Sequence, residues 1–385
     1  MKFFGFFSLD LLEMAGLYLH IPFCKRICAY CDFFKSADLR RTEEVAAAMH
    51  DELEREAGFL PAERLRTIYF GGGTPSLLAP EQLEEFIAHA AELFDCTALE
   101  ECTVEANPDD LTPDYLRRLA RTRVDRLSIG IQSFDDAELR LMNRRHTAEA
   151  GRSAVRRAQE AGFGNVTVDL IFGVPGFGAE TLARSLRETV ALGVQHVSAY
   201  HLTVEPGTAF GRRMARGAFA PVAEEVSEEE FLAVHRTLTD AGFEHYEVSN
   251  FALPGRRARH NSAYWSGDPY LGIGPAAHSF DGRQRRWAAA DIGRYLEGGD
   301  RYETERLTER DRYNETVMTA LRTIEGVDTA AIGRRFGAQR LEALLEAARP
   351  WIAAGDAALR DGRLAIPPER FLLSDAVIAA LFWES

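Results

Sequence analysis

Short apolar runs recur through the first ~215 residues, with amphipathic stretches between them. The runs are Gly16–Ile21, Thr67–Phe70, Glu101–Glu105, Arg126–Gly130, Val166–Phe172 and His196–Leu202. Runs of this length, bounded by turn residues, predict buried strands. The intervening segments repeat apolar residues at helical spacing: Thr42–Ala57, Pro80–Phe94, Pro113–Ala120, Asp136–Asn143, Ala148–Ala161 and Ala179–Leu192. Pro80 and Pro113 suit a first helical turn, and Gly162 and Gly193 suit C-terminal caps. Strand and helix alternating in series imply an α/β fold on a parallel sheet. Functional groups are then expected at the C-terminal ends of the strands.

The alternation weakens after residue 215. Glu224–Ala241 predicts an acidic amphipathic helix and Glu244–Asn250 a strand, while 251–290 reads as loop, rich in Gly, Pro, Arg and aromatics. Helices are predicted again at Glu309–Ile324, Thr329–Phe336 and Ala338–Ala354. A two-strand wing follows at Ala358–Ile366 and a last helix at Leu373–Leu381. That order is winged-helix-like, so the expected units are 14–215, 216–300 and a helical 301–385. Residues 1–13 read as an N-terminal extension, with Met14 as an alternative start. Asp10 and Glu13 interrupt its apolar stretch, against a signal peptide.

The 385 residues are 46% apolar and 27% charged, an ordinary globular composition. The net charge of −14 argues against a broad nucleic-acid face. No apolar run reaches the ~18 residues that span a bilayer. Five cysteines, an odd and sparse set, exclude a secreted disulfide scaffold and point to a cytoplasmic protein. Three of them form Cys24-Lys-Arg-Ile-Cys28-Ala-Tyr-Cys31, directly after the first predicted strand. Three thiolates on one short loop can ligate three irons of a cubane cluster and leave the fourth iron open. Zinc is the inorganic alternative, with His20 or Asp32 as a fourth ligand. Cys96 and Cys102 read as bystanders.

Tyr18-Leu-His-Ile-Pro-Phe-Cys24 with the C-x3-C-x2-C loop resembles the radical S-adenosylmethionine (SAM) superfamily. Gly71-Gly-Gly-Thr-Pro75, Glu105-Ala-Asn-Pro, Ser128-Ile-Gly-Ile-Gln-Ser-Phe134, Met142-Asn-Arg144 and Val168-Asp-Leu-Ile-Phe-Gly173 narrow the resemblance. They point to the branch holding oxygen-independent coproporphyrinogen dehydrogenases and the HemW haem chaperones. The resemblance implies a partial (β/α)6 TIM-like barrel with a C-terminal helical domain. It also implies a [4Fe-4S] cluster on Cys24, Cys28 and Cys31, and SAM held by Gly72, Gly73 and Thr74 through its amino group. Arg144 would pair with the SAM carboxylate, as a guanidinium fork suits, leaving Arg145 as a solvated neighbour. Asp169, an acid in an apolar run, needs partners, and a ribose diol supplies two donors. Glu105, Gln132, Tyr18 and Tyr30 complete the expected cofactor set, although core packing accounts for either tyrosine equally well. His20 is the candidate for tuning the cluster or shuttling a proton.

Three features separate the two relatives. Phe33 stands where the dehydrogenases carry a further cysteine, only 23 residues precede Cys24, and His260-Asn-Ser-Ala-Tyr-Trp265 resembles the HNxxYW motif associated with haem. They favour a haem chaperone over a coproporphyrinogen-decarboxylating enzyme. His260 becomes the expected haem ligand, with His278, His201 and His196 as rivals, and Arg256, Arg257 and Arg259 as partners for haem propionates. A haem-acceptor protein and an electron donor for the cluster are the implied partners. A homodimer through the cysteine loop and peripheral membrane association through the acceptor are compatible with this reading.

Overall fold

The computed structural model describes residues 14–298 and 302–384. The expected extension at 1–13, and with it the choice of start, lies outside the described residues. Six parallel strands form the centre: β1 (Met14–Ile21), β2 (Arg64–Gly72), β3 (Glu101–Ala106), β4 (Arg126–Gln132), β5 (Val166–Phe172) and β6 (His196–His201). Each crossover is helical: α1 (Thr42–Glu56), α2 (Pro80–Leu93), α3 (Pro113–Leu119), then α4 (Asp136–Leu141) and α5 (Ala148–Glu160) together, and α6 (Ala179–Ala191). Local chemistry fixes where these helices begin. The side chains of Thr112, Asp135 and Thr147 accept from the first free amides of α3, α4 and α5. Strands covered on both faces read as continuous apolar runs. Accordingly Leu17, Leu19, Val104, Leu127, Ile129 and Val168 have no solvent exposure. Each such side chain contributes about 1.5–3 kcal/mol on burial.

The chain continues through α7 (Ala209–Met214), α8 (Glu224–Asp240), β7 (Glu244–Glu247), β8 (Asn250–Ala252), α9 (Arg259–Ser266), β9 (Tyr270–Ile273), β10 (His278–Phe280), β11 (Gln284–Ala288), α10 (Ile292–Glu297) and β12 (Tyr302–Arg306). The loop expected over 251–290 is therefore corrected: it holds strands and a helix. They extend both edges of the central sheet, giving the twelve-strand order β12-β11-β10-β9-β1-β2-β3-β4-β5-β6-β8-β7. β9 runs parallel to β1, with Leu17 opposite Leu271 and Leu19 opposite Ile273. A buried carboxylate supports this join. Glu52 of α1 accepts from the Gly274 amide at 2.7 Å and from the hydroxyls of Tyr295 and Tyr302.

The C-terminal part packs α11 (Glu309–Leu321), α12 (Thr329–Phe336) and α13 (Ala338–Ala354) beside a small sheet of β13 (Val327–Asp328), β14 (Ala358–Arg360) and β15 (Arg363–Ala365), and ends in α14 (Ser374–Ala380). The wing is closed by Asp361-Gly362, both at positive φ, the backbone that a two-residue hairpin requires.

Candidate functional site

The C-terminal ends of β1 to β5 meet on one rim. The loop after β1 carries the three cysteines and is held there by backbone bonds: Cys24 N donates to Ser36 O at 2.9 Å and Ala29 N to Met142 O at 3.0 Å. Asn143, in the left-handed region at φ 59°, donates its side-chain amide to Ile27 O at 2.7 Å. Cys24 is buried, and Cys28 and Cys31 are half-buried. Thr74 donates to Cys24 Sγ at 3.3 Å and Arg144 Nη1 to Cys28 Sγ at 3.2 Å. Burial pushes the Cys24 thiol up to about 11 and raises Cys31, and the neighbouring thiols push each further up. Thiolates gathered this closely need a positive centre, and a metal deprotonates a coordinating thiol outright. Two of the three sulfurs expected to ligate a cubane cluster, those of Cys24 and Cys28, thus already have donors aimed at them. The two residues expected as a fourth zinc ligand sit differently. His20 Nε2 donates to Phe34 O at 3.0 Å, its Nδ1 accepts from Tyr18 OH at 3.0 Å, and Asp32 is exposed. Among the described residues, no group of three or more His, Cys, Asp or Glu side chains is already arranged to hold a metal ion.

The glycine turn after β2 is shaped by its neighbours. A Cβ on Gly72, at φ +103°, would lie 2.6 Å from the His20 ring, and one on Gly73 would lie 2.7 Å from Phe23 O. Glu105 accepts from Tyr69 OH at 2.7 Å and from Gly72 N at 3.2 Å. Burial raises its carboxyl to about 7. Asp169 accepts from Ser128 at 3.1 Å and from Ser198, so the partners that an acid in an apolar run requires are present. Burial raises this carboxyl too. Gln132 sits at φ 69°, where β4 slips register against β5. A non-glycine residue held there is strained, and such strain collects at functional sites. Arg144 Nη2 donates to Asn107 Oδ1 at 2.6 Å and to Gly130 O, while its Nε is buried without a partner. Tyr18 and Tyr30 border the same space, and burial raises both phenols.

Sequence reasoning missed several members of this rim. Asn107 links Thr74 to Arg144, accepting from the guanidinium and donating to Thr74 Oγ1 at 3.1 Å. Its signal was present in the Glu105-Ala-Asn-Pro motif. Ser198 gave no signal. Arg145, expected to be solvated, is instead paired with Asp109 and Asp110.

The His260 motif forms α9, whose side chains pack on β2. His260 is 2% exposed, with Nδ1 bonded to Thr67 Oγ1 at 2.8 Å and Nε2 to Tyr264 OH at 2.9 Å. Its ring stacks on Tyr69 at 4.9 Å, which places it one residue from the Glu105 contact. Among the rivals, His196 is bonded to Tyr246 and His201 to Ser227, whereas His278 is exposed and stacks on Trp287 at 5.7 Å. The arginine patch is largely engaged: Arg257 bridges Glu244 and Glu325, and Arg259 pairs with Glu100. One cleft of about 1430 Å³ reaches from Tyr18, His20 and Phe33 past Tyr264 and Trp265 to the C-terminal helices.

Comparison with known proteins follows this geometry. The radical SAM superfamily matches residues 18–189, and the HemN C-terminal domain matches residues 307–373. The "Heme chaperone HemW" of Lactococcus lactis is 37% identical, over 83% of this chain and 84% of its own. That of Mycobacterium tuberculosis is 36% identical, over 95% of this chain and 94% of its own. The chain belongs to the HemW family of radical SAM proteins. Among solved structures, coproporphyrinogen III oxidase (HemN) from Escherichia coli superposes with a TM-score of 0.82 at 22% identity, over 97% of this chain and 92% of that one. That likeness establishes the fold, a radical SAM TIM-like α/β barrel with a C-terminal helical domain. No described helix is long and apolar enough to cross a membrane.

Proposed function

We propose that this chain binds a [4Fe-4S] cluster through Cys24, Cys28 and Cys31, holds SAM beside it, binds haem and delivers it to an acceptor protein. The observation that carries the proposal is the pair of donors, Thr74 and Arg144, aimed at Cys24 and Cys28 on the rim, with a cleft lined by Tyr18, His20 and Phe33 that runs along α9. A bound cluster would supply one-electron reduction next to SAM. The rim residues have separate tasks. Gly72, Gly73 and Thr74 approach the SAM amino group; a Cβ on either glycine would meet the His20 ring or Phe23 O, so only glycine holds this turn. Arg144 orients the SAM carboxylate and donates to Cys28 Sγ, which offsets charge on sulfur. Asp169 takes the ribose diol. Glu105 and Gln132 fill out the pocket, with Tyr18 and Tyr30 as its apolar wall.

His260 is proposed as the haem ligand, which requires its Nε2 to release the Tyr264 hydroxyl. An electron donor and a haem acceptor are the partners this function needs. Phe33, 70% exposed at the position of the dehydrogenases' extra cysteine, favours the chaperone over coproporphyrinogen decarboxylation. Anaerobic reconstitution, haem titration and a coproporphyrinogen III turnover assay test the proposal together. The expected results are an iron–sulfur absorption band that Cys28→Ala removes, haem uptake that His260→Ala weakens, and no turnover. Product formation would reverse the assignment, and a colourless zinc-loaded protein would remove its foundation.

A further inference from the structure

Haem is an apolar macrocycle with two carboxylates on one edge. A cleft that accepts it needs aromatic surface and, apart from that, cations matched to those carboxylates. The cations beside His260 are poorly placed for this. Arg257 is held by Glu244 at 3.1 Å and Glu325 at 2.6 Å, and Arg259 is held by Glu100.

The wall contributed by the C-terminal segment differs. Arg312 of α11, Arg335 of α12 and Arg363 of β15 all line the cleft. Among the described residues, none of the three is ion-paired. Arg335 and Arg363 make long hydrogen bonds, each of 3.5 Å, to Thr316 Oγ1 and Gly326 O, and Arg335 also lies over the Phe336 ring at 5.2 Å. Two carboxylates on this wall are already matched, Glu315 with Arg285 at 2.8 Å and Glu325 with Arg257 at 2.6 Å, while Asp328, opposite Arg363 in the small sheet, caps α12 and lies 4.0 Å from Arg334. Burial and the neighbouring Arg312 charge push the Arg335 guanidinium down from its usual range, as expected of like charges without a counter-ion. Acidic residues outnumber basic ones 59 to 45 in this chain. Three uncompensated guanidiniums facing one cleft are therefore a local reversal of the molecule's charge.

We propose that Arg312, Arg335 and Arg363 bind the carboxylates of the tetrapyrrole, an assignment that rests on the haem-binding function above. Tyr264, Trp265 and Tyr270, on the barrel side of the same cleft, offer the aromatic surface for the macrocycle. The C-terminal domain thereby becomes half of the ligand site, and haem bridges it to the barrel.

The test is an absorbance titration of the full chain with haem and with haem dimethyl ester, which keeps the macrocycle and loses both charges. The unsubstituted chain is expected to bind the ester at least tenfold more weakly than haem. The double variant Arg312→Glu/Arg335→Glu is expected to weaken haem binding at least tenfold and to abolish the discrimination between the two ligands. Arg349→Glu, outside the cleft, serves as a charge control and should leave the affinity unchanged. Equal binding of haem and ester by the unsubstituted chain overturns the assignment without relying on any variant's folding. Wild-type haem affinity in the double variant overturns it as well. Failure of the unsubstituted chain to take up haem overturns the haem-binding function itself, and the assignment with it.

Discussion

His260 is a buried imidazole that joins side chains of two strands and a helix: Thr67 and Tyr69 of β2, Tyr18 of β1 and Tyr264 of its own helix. Its removal leaves a cavity and two hydroxyls short of a partner. His260→Ala is therefore expected to lose about 2–4 kcal/mol of stability in urea unfolding. Haem loss in that variant needs a companion measurement, which Tyr264→Phe supplies. That change preserves packing and frees Nε2, so haem affinity should rise a few-fold, up to about tenfold, when His260 is the ligand. Unchanged or weaker binding in a folded Tyr264→Phe protein would turn attention to the exposed His278. At the glycine turn, Gly72→Ala brings a Cβ against the His20 ring at a φ that side chains rarely adopt. About 1–3 kcal/mol of destabilisation is expected, with SAM affinity lost more completely than fold, as read by anaerobic calorimetry.

The short helix α9 shows why part of the molecule was legible in the sequence and part was not. The six central strands and their helices were readable because apolar runs and helical patterns alternate in series, and three of the helices begin at side-chain caps, Thr112, Asp135 and Thr147. α9 begins at Ala258, whose side chain cannot cap. Glu101 of β3 caps it instead, accepting from Arg259 N at 2.9 Å and His260 N at 3.1 Å while facing the buried Arg126 at 3.8 Å. A cap supplied from so far along the chain leaves no local signature. The neighbouring strands β8 and β10 have three residues each, too few for a period to register. The cysteine loop and the acids of the rim were legible for the opposite reason, since each interrupts or ends an apolar run. The ion pairs of Arg257 and Arg259 were not legible because the sequence does not show which arginines already have partners. Glu101→Ala removes the cap and leaves Arg126 without its carboxylate, a loss of about 3–5 kcal/mol. Hydrogen exchange should locate the damage in α9, and equal protection there in both proteins would contradict the capping role.

Barrel and C-terminal domain meet where Val248 N donates to Arg322 O at 2.9 Å and Glu247 bridges to Thr323. Burial raises the Glu247 carboxyl to about 7 from 4.5. A carboxyl raised on folding adds stability that is complete below the unfolded value and is lost as pH climbs through the folded one. Stability is therefore expected to fall between pH 4.5 and about 7, by roughly 3 kcal/mol from this group. Glu247→Gln should remove this group's share of the fall, leaving that of other raised carboxyls such as Glu105, as measured by urea unfolding at about pH 5 and about pH 8. Another long-range contact governs time rather than pH. Leu19 of β1 waits for Ile273 of β9, and roughly 250 residues are made in between, which takes roughly 10–50 s on the ribosome. For that interval one side of β1 has no hydrogen-bonding neighbour, on a strand that is apolar on both faces. The nascent chain thus passes through a stage in which a strand destined for the core is also a sticky edge, and slow or interrupted translation before Tyr270 should raise aggregation.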